Sequence, residues 1–396
     1  MLPTGPLPRQ HRPVKGCGRR MAEMLREAVI LYETEAAATT RLRAHGYAAE
    51  IAAEIAVYLA QATDLPAYIP QIAAALGAEG IAVRFAELDE LPVLLAELAE
   101  AGAETLLWNV TDGIRFYRGA AIPALAHLLG LPRFGAPAAA QHLCQDKFAS
   151  LALAASAGLP CPPTRLLEGG TVLAELGGAL GPGPFFVKPN TLGAKLGIFA
   201  DSRCATLAEA GVRAARLWDR YADRAVVQPF VAGADVRVSF LDTGGTFRGQ
   251  LGIHRLAADP RGETGGAFLT MRDNETLSGA RDTEGGRGGF GTARPAAFVP
   301  RLDDLRADPA MARAVAAIED AAERLARLLG LADLFAMDFR LGADRGVTFL
   351  EFEVCPAVTI YDFQTYLQEA HGMALGPALA RAFRTAHARS RGRTAA

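Results

Sequence analysis

Three acidic residues near the C-terminus, Asp338, Glu351 and Glu353, lie in the otherwise apolar segment AMDFRLGADRGVTFLEFEVCP. Buried strands ordinarily avoid unpaired carboxylates, so these three need an explanation. Residues two apart in a strand share a side, which places Glu351 beside Glu353, and a neighbouring strand can bring Asp338 alongside. Three clustered carboxylates repel each other unless a cation joins them. Their hard oxygens favour Mg²⁺, which often also holds the phosphates of a nucleotide.

The same acids also fit a solvated edge hairpin that binds no metal. In that interpretation the chain turns between Gly342 and Gly346, and Asp338 pairs with Arg340 or Arg345. Long charged side chains on an outer strand are normally solvated. The hairpin alone therefore does not decide between a metal site and surface charges.

A lysine inside another apolar run, Lys188 in FFVKPN, indicates anion binding. A charged ammonium in an apolar strand costs free energy unless it is paired, and a phosphate would be a suitable partner. The alternative is an edge-strand lysine whose amine reaches water, which the adjacent Pro189 permits. Gly193 and Gly197 follow in a short loop and would let backbone N–H groups approach an anion closely.

Composition limits the function classes. The 396 residues, 51% of them hydrophobic, are enough for two or three domains with extensive cores. A formal net charge of -2 gives no general attraction to nucleic acid or to anionic membranes. No apolar run has the length of a membrane span, and the N-terminus lacks a signal peptide pattern, so we expect a cytoplasmic protein. The five cysteines form no CxxC pair, which predicts reduced thiols.

The pattern of elements restarts twice along the chain. Strand and helix patterns alternate before Gly135, which predicts a parallel, doubly wound N-terminal domain. A second restart near Gly233 separates a central from a C-terminal domain. The glycine-rich segment 272–295 carries four arginines and is typical of a linker or of a mobile loop beside a phosphate site. The predicted boundaries are 1–20 for a disordered basic arm, 21–134, 135–232 and 233–385 for three domains, and 386–396 for a frayed basic tail.

The order of these features resembles the ATP-grasp superfamily. Lys147 at a helix start precedes Lys188, the glycine loop, Asp235 beyond a buried strand, and the D…ExE set. From about Ala28 to its C-terminal helix the chain resembles D-alanine:D-alanine ligases. This resemblance implies an α/β (α+β) class, an ATP-grasp fold with an N-terminal parallel-sheet pre-ATP-grasp domain, and ATP and Mg²⁺ as cofactors, with Mn²⁺ as an alternative ion. The matching passages are NVTDG, LGLPRFGAP, QDKFAS, FFVKPNTLGAKLGI, VVQPFVAGADV and FAMDFR…FLEFEVCPAVT.

The resemblance also implies roles for single residues. Lys147 and Lys188 match the lysines that hold the α- and β-phosphates, and Asp235 stands where the family has a ribose-binding glutamate. Glu353 departs from most relatives, which have asparagine there, and adds negative charge. The implied metal ligands are Asp338, Glu351 and Glu353. The implied nucleotide-binding residues are Lys147, Lys188, Gly193, Gly197, Asp235 and the adenine hinge Gln228, Pro229, Phe230 and Val231.

The chemistry implied by the family is activation of a carboxylate. The donor carboxylate attacks the γ-phosphate of ATP to give an acylphosphate and ADP, and an amine then displaces phosphate to form an amide. The expected partners are therefore a small-molecule carboxylate donor and an amine acceptor, with no nucleic acid and no membrane. A homodimer is compatible with the chain. No protein nucleophile is needed, and the sequence has no convincing Ser/His/Asp or Cys/His set.

The acceptor pocket departs from the dipeptide ligases. Their arginine and two serines that bind the acceptor carboxylate correspond here to Ala336, Ala194 and Asp362. We therefore expect an acceptor with a neutral or cationic end, such as an amine, which Asp362 would pair. In the alternative, Asp362 only caps a local turn. Lys195 is expected to hold an anionic part of the donor. The expected catalytic residues are Lys188, Lys195, Arg272 and Asp362.

Other functions stay open at this point. The chain could be a true D-alanine:D-alanine-type dipeptide ligase, an ATP-grasp phosphotransferase that stops at a phosphorylated product, or a non-catalytic nucleotide-binding module. The retained Lys147, Lys188 and acid trio argue against the last of these. Glu50 and Glu54 are candidates for the glutamate that orients the ammonium group of the donor.

Overall fold

The structure is a computed structural model. It describes residues 24–62, 69–111, 119–244, 251–256, 268, 270–271, 298–301, 306–342, 344–358, 363 and 365–393. Within these ranges the chain forms three β-sheets flanked by α-helices. The first sheet is parallel and the other two are antiparallel, so the mixed helix and sheet class expected from the sequence is confirmed.

The N-terminal sheet is parallel and has the order β2-β1-β3-β4. Helices cover both of its sides, which explains why its central strands are apolar at nearly every position. Its strands are β1 Glu27–Tyr32, β2 Ala82–Glu87, β3 Thr105–Asn109 and β4 Arg133–Phe134. The helices beside it are α3 Ile69–Ala78, α4 Leu91–Ala101 and α5 Ala121–Leu129. Helices α1 Glu35–Ala44 and α2 Ala49–Ala62, which follow β1 in the chain, instead bury their apolar residues in the core of the central sheet.

The central sheet is antiparallel, with the order β6-β5-β9-β7-β8. Helix α8 packs its apolar side on this sheet, and Thr206 Oγ1 caps it by accepting from the backbone N–H of Glu209. The strands are β5 Thr164–Glu168, β6 Thr171–Leu176, β7 Phe185–Pro189, β8 Arg203–Cys204 and β9 Ala225–Pro229. The helices are α6 Ala138–Leu143, α7 Lys147–Ser156 and α8 Leu207–Tyr221.

The C-terminal sheet is antiparallel, with the order β12-β11-β10-β13-β14. The predicted acidic hairpin is its β13–β14 pair, in which Asp338 lies opposite Glu351 and Ala336 opposite Glu353. An irregularity in the register follows directly after Asp338. The strands are β10 Ala234–Leu241, β11 Leu251–Leu256, β12 Phe298–Arg301, β13 Leu334–Leu341 and β14 Val347–Glu353. Helix α9, Pro309–Leu329, contributes apolar residues to the same core.

Two helices end the described chain, α10 Thr365–His371 and α11 Leu375–Arg393. Helix α11 packs against the N-terminal sheet, where Phe383 contacts Trp108 and Phe134 at ring distances of 5.5 and 4.8 Å. The predicted frayed tail from residue 386 is therefore wrong up to Arg393. Small apolar residues spaced four apart continue the buried side of the helix through Ala386, and Arg389 pairs with the buried Asp333 at 2.6 Å.

Membrane insertion has no support among the described elements. None of the helices there combines the length and the apolar character that a membrane span requires.

Candidate functional site

Two buried lysines converge on Glu351 at the junction of the central and C-terminal sheets. Lys147 begins α7 and Lys188 lies on β7, and their Nζ atoms are 3.5 and 3.9 Å from Glu351 Oε2. Their side chains are 8% and 7% exposed. The interpretation in which the Lys188 amine reaches water is wrong, because the side chain is almost completely buried. The two lysines that the sequence singled out thus form one cationic pair beside an acid of the hairpin.

The backbone fixes the position of Lys147. Asp146 caps α7 by accepting from the backbone N–H of Ala149 at 2.8 Å. The backbone N–H of Lys147 donates to the carbonyl of Asn190 at 3.1 Å, and its Nζ donates to the carbonyl of Leu192 at 2.7 Å. The start of the helix is therefore attached directly to the loop that follows β7.

Electrostatics keep Glu351 ionised. Burial alone would raise its pKa, but Lys188 and Lys147 outweigh that effect and lower the pKa to about 2. Burial also lowers the pKa of Lys188, and Glu351 opposes that shift. Two ammonium groups share one nearby carboxylate, so the pair retains affinity for a further anion.

The other two acids of the trio point to an arginine. Arg237 lies opposite Asp338 on β10, and its Nη1 is 3.4 Å from both Asp338 carboxylate oxygens. Its Nη2 donates to Glu353 Oε2. Asp338 therefore does not pair with Arg340 or Arg345 as the edge-hairpin interpretation expected. Across the described residues, no three His, Cys, Asp or Glu side chains are grouped so that they could hold a metal. The assignment of the trio as metal ligands stays a prediction.

The loop after β7 is shaped by a buried aspartate. Asp223, 1% exposed, accepts from the backbone N–H groups of Thr191 and Leu192 at 3.0 and 3.2 Å and from the Thr191 hydroxyl at 3.0 Å. These bonds orient the Leu192 carbonyl, which accepts a hydrogen bond from Lys147 Nζ. Asp223 therefore positions Lys147 through the loop.

In this loop, Gly197 has a role other than the predicted one of bringing a backbone N–H group close to an anion. The left-handed backbone falls on Ala194, Lys195 and Gly197, with φ values of 50°, 62° and 73°, and not on Gly193. A Cβ on Gly197 would lie 2.6 Å from the ring of Pro189. The backbone N–H of Gly197 donates to Met271 Sδ at 3.1 Å. Gly197 thus permits close packing, and its amide is already used within the fold.

The predicted hinge segment leaves β9 beside an aromatic cluster. Gln228 is buried, and its side chain donates to Thr164 Oγ1 at 2.9 Å, while Pro229 ends the strand. The Phe230 ring lies 6.1 Å from the rings of both Phe186 and Phe268. Val231 follows and is partly exposed. The segment therefore borders an apolar aromatic wall of a kind that suits a flat ring.

Asp235 is paired in the structure. Its Oδ1 lies 3.0 Å from Arg340 Nη1, directly across the β10–β13 pair. Burial raises the pKa of Asp235, and Arg340 opposes this shift. The Arg340 guanidinium also lies 5.6 Å from the centre of the Phe230 ring. Asp235 and the hinge therefore belong to one neighbourhood.

Solved structures share this arrangement of three sheets over almost the whole chain. A D-alanine-D-alanine ligase from Bacillus anthracis complexed with ATP matches with a TM-score of 0.54 and 12% identity, covering 93% of this chain and 99% of that one. D-alanyl-alanine synthetase A from Vibrio cholerae gives a TM-score of 0.57 and 16% identity over the same shares. The chain therefore has the fold of these ligases.

Similarity in sequence to curated relatives is more local. D-alanine-D-alanine ligases from Aromatoleum aromaticum and Desulforudis audaxviator are each 34% identical to the chain, over 124 and 130 residues. These matches cover 30% and 31% of this chain, but the chain spans only 37% and 39% of the length of the two relatives. No family model matches the chain. The fold expected from the sequence is confirmed, and the activity and substrates of the chain are matters for proposal.

Several residues that the sequence predicted to be functional lie away from the cluster of Lys147, Lys188 and Glu351, or outside the described residues. Arg272, the segment 272–295 and Asp362 lie outside the described residues. Lys195 is on the loop, partly exposed. Glu54 bonds to the Tyr221 hydroxyl at 2.5 Å and pairs with Arg220, which joins α2 to α8. Glu54 therefore contributes to the packing of α2 against α8. Glu50 lies one turn earlier on α2 and is exposed.

Sequence reasoning missed three residues of this site: Asn190, Asp223 and Arg237. Arg237 carries the same signal as Lys188, a charge between the buried residues Val236 and Val238. Asn190 accepts from the backbone N–H of Phe148 at 2.9 Å. Polar residues close to the ends of buried strands, such as Asn190 after β7 and Asp223 before β9, are the sequence signal that could have identified the other two.

We expect Asp338 to lower the stability of the metal-free protein as the pH rises. Burial raises its pKa to about 7, although Arg237 opposes the shift. The folded protein then holds a proton that the unfolded chain has lost, so the stabilisation is complete below about pH 4 and disappears by about pH 7. Urea unfolding of wild type and Asp338→Asn across this window measures the effect. Parallel pH profiles of the two proteins would contradict the prediction.

Proposed function

We propose that the ligase-like chain is an ATP-dependent carboxylate-amine ligase that forms an amide through an acylphosphate and releases ADP and phosphate. The observation that carries the proposal is the convergence of Lys147 and Lys188 on Glu351. It supplies buried positive charge at the position where the shared fold of an ATP-complexed D-alanine-D-alanine ligase leads us to expect phosphates.

The lysines would bind and orient the phosphates of ATP. Phosphate oxygens can replace Glu351 as their partner, and charge-assisted hydrogen bonds of this kind are stronger when the donors are shielded from water. Lys147 is already oriented by the Leu192 carbonyl, so it needs little rearrangement to bind an anion. As negative charge develops on the transferred group, these fixed ammonium groups stabilise it more than mobile water would.

The nucleoside would lie against the hinge. The Phe230 ring is flanked by the Arg203 guanidinium, 4.5 Å from its centre, and by Arg340. Phe186 and Phe268 extend the apolar surface for adenine. Asp235 can accept from ribose hydroxyls while Arg340 keeps it in place.

Mg²⁺ would be held by Asp338, Glu351 and Glu353. The donor set fits a hard cation because it offers only carboxylate oxygens. In addition, Asp338 and Glu353 lie close enough together for one guanidinium to contact both. When bound, the ion neutralises phosphate charge and orients the reacting groups. Mn²⁺ has the same preference for oxygen ligands and serves as a probe.

The names of the curated relatives favour D-alanine as donor and acceptor. The second candidate, an amine acceptor without a carboxylate, is supported by Ala336. This residue is fully buried directly opposite Glu353, so it borders the proposed metal site with only a methyl group. Asp362 would contribute to that second candidate in the way the sequence suggested.

The test is ADP release with ATP, Mg²⁺ and D-alanine, compared with D-alanine plus ethylamine, its decarboxylated counterpart. We expect D-alanine alone to give ADP and a dipeptide mass. A preference for ethylamine would select the second acceptor. Hydroxylamine trapping without any amide product would indicate a phosphotransferase, and absence of ADP with every substrate would overturn the ligase proposal.

A further inference from the structure

Arg237 occupies the space between two of the proposed metal ligands. It projects from β10, while Asp338 lies on β13 and Glu353 on β14. Its Nη1 contacts both oxygens of Asp338, and its Nη2 donates to Glu353. A metal that joined these two acids would have to take the position of the guanidinium.

The charges of the cluster balance without a metal. When all three are ionised, Asp338, Glu351 and Glu353 contribute three negative charges. The single positive charge of Arg237 faces the first and the last, and the two charges of Lys147 and Lys188 face the second, so the balance holds for the cluster as a whole. The side chains of Arg237, Asp338 and Glu353 are 23%, 31% and 30% exposed, so water screens them only in part. Adding a divalent cation while Arg237 stays in place would bring like charges together at high cost.

We infer, on the basis of the metal site in the proposed function, that Arg237 competes with the divalent cation for Asp338 and Glu353. Arg237 is a positioning residue in this scheme, because it acts through the two carboxylates. It holds them on the polar side of the sheet in the nucleotide-free protein, and one or both must leave the guanidinium before a metal can bind. The consequence is weak metal binding by the nucleotide-free protein.

The experiment is a Mn²⁺ titration of the nucleotide-free protein, with free Mn²⁺ followed by electron paramagnetic resonance. We expect Arg237→Gln to bind Mn²⁺ at least about ten-fold more tightly than wild type. Arg237→Lys keeps one charge but cannot bridge two carboxylates, so we expect an intermediate gain. The double variant Arg237→Gln/Glu353→Gln should lose most of the gain, because it also lacks a ligand.

The matched control is Arg324→Gln, which removes an exposed arginine that pairs with Asp320 on α9. Its Mn²⁺ affinity should equal that of wild type. Equal affinity of wild type, Arg237→Gln and Arg237→Lys would overturn the inference and leave the metal site intact. Weaker binding by both variants would also overturn it, since Arg237 would then only brace the acids. No Mn²⁺ binding by any protein would overturn the metal site itself.

Discussion

Replacing Lys188 by methionine is expected to reduce kcat/KM for ATP-dependent ADP release by about 10²–10³-fold, the usual effect of removing one fixed donor to developing negative charge. Methionine keeps the volume of the lysine stem inside the apolar strand β7. The substitution therefore removes the ammonium group with little change in packing. Glu351 keeps Lys147 as a partner at 3.5 Å, which is why the fold should survive.

Two comparisons separate charge from packing at Lys188. Lys188→Arg keeps the charge and should retain part of the activity, limited by the larger guanidinium in a buried position. Arg324→Gln removes an exposed cation and should leave activity unchanged. Equilibrium binding of a fluorescent ATP analogue shows whether the loss lies in nucleotide binding. Normal ADP release by Lys188→Met would contradict the assignment of Lys188 as a phosphate ligand.

The lysines and the acidic hairpin could be predicted because their signal is local. A charge inside an apolar strand is visible in a few residues, and the two-residue repeat gives the side on which Glu351 and Glu353 lie. The partner of Asp338 could not be predicted in this way. It depends on β10 lying next to β13, although about a hundred residues separate them, and on the register irregularity after Asp338.

The contrast between local signals and contacts of residues far apart in the chain also explains the other differences between the predictions and the structure. Helix α8 has a local signal of the same kind, because its apolar side repeats along one segment. Glu54 was one of two candidates for a donor site, and its contact with Tyr221 on helix α8 has no local sign in the sequence. The tail from residue 386 was expected to fray because it is rich in arginine, yet Asp242 and Asp333 hold Arg389 from distant loops.

Replacing Glu351 by glutamine is expected to destabilise the nucleotide-free protein and to abolish activity. Glu351 is the shared carboxylate of two buried ammonium groups, so the variant removes their nearest negative partner. Breaking such a pair typically costs about 3–5 kcal/mol, and we expect about 2–3 kcal/mol because glutamine can still accept a hydrogen bond from one lysine. The variant also lacks one proposed metal ligand, so ADP release should fall by at least about 10²-fold.

ATP itself provides the decisive readout for Glu351→Gln. In the absence of divalent metal, the phosphates of ATP can take over the role of the missing carboxylate beside Lys147 and Lys188. ATP should therefore raise the free energy of unfolding of the variant more than that of wild type, where it must first displace Glu351. Urea unfolding with and without ATP, in the presence of a chelator, measures both quantities. Equal stabilisation of the two proteins would show that ATP does not contact the lysine pair, whatever the effect of the substitution on activity.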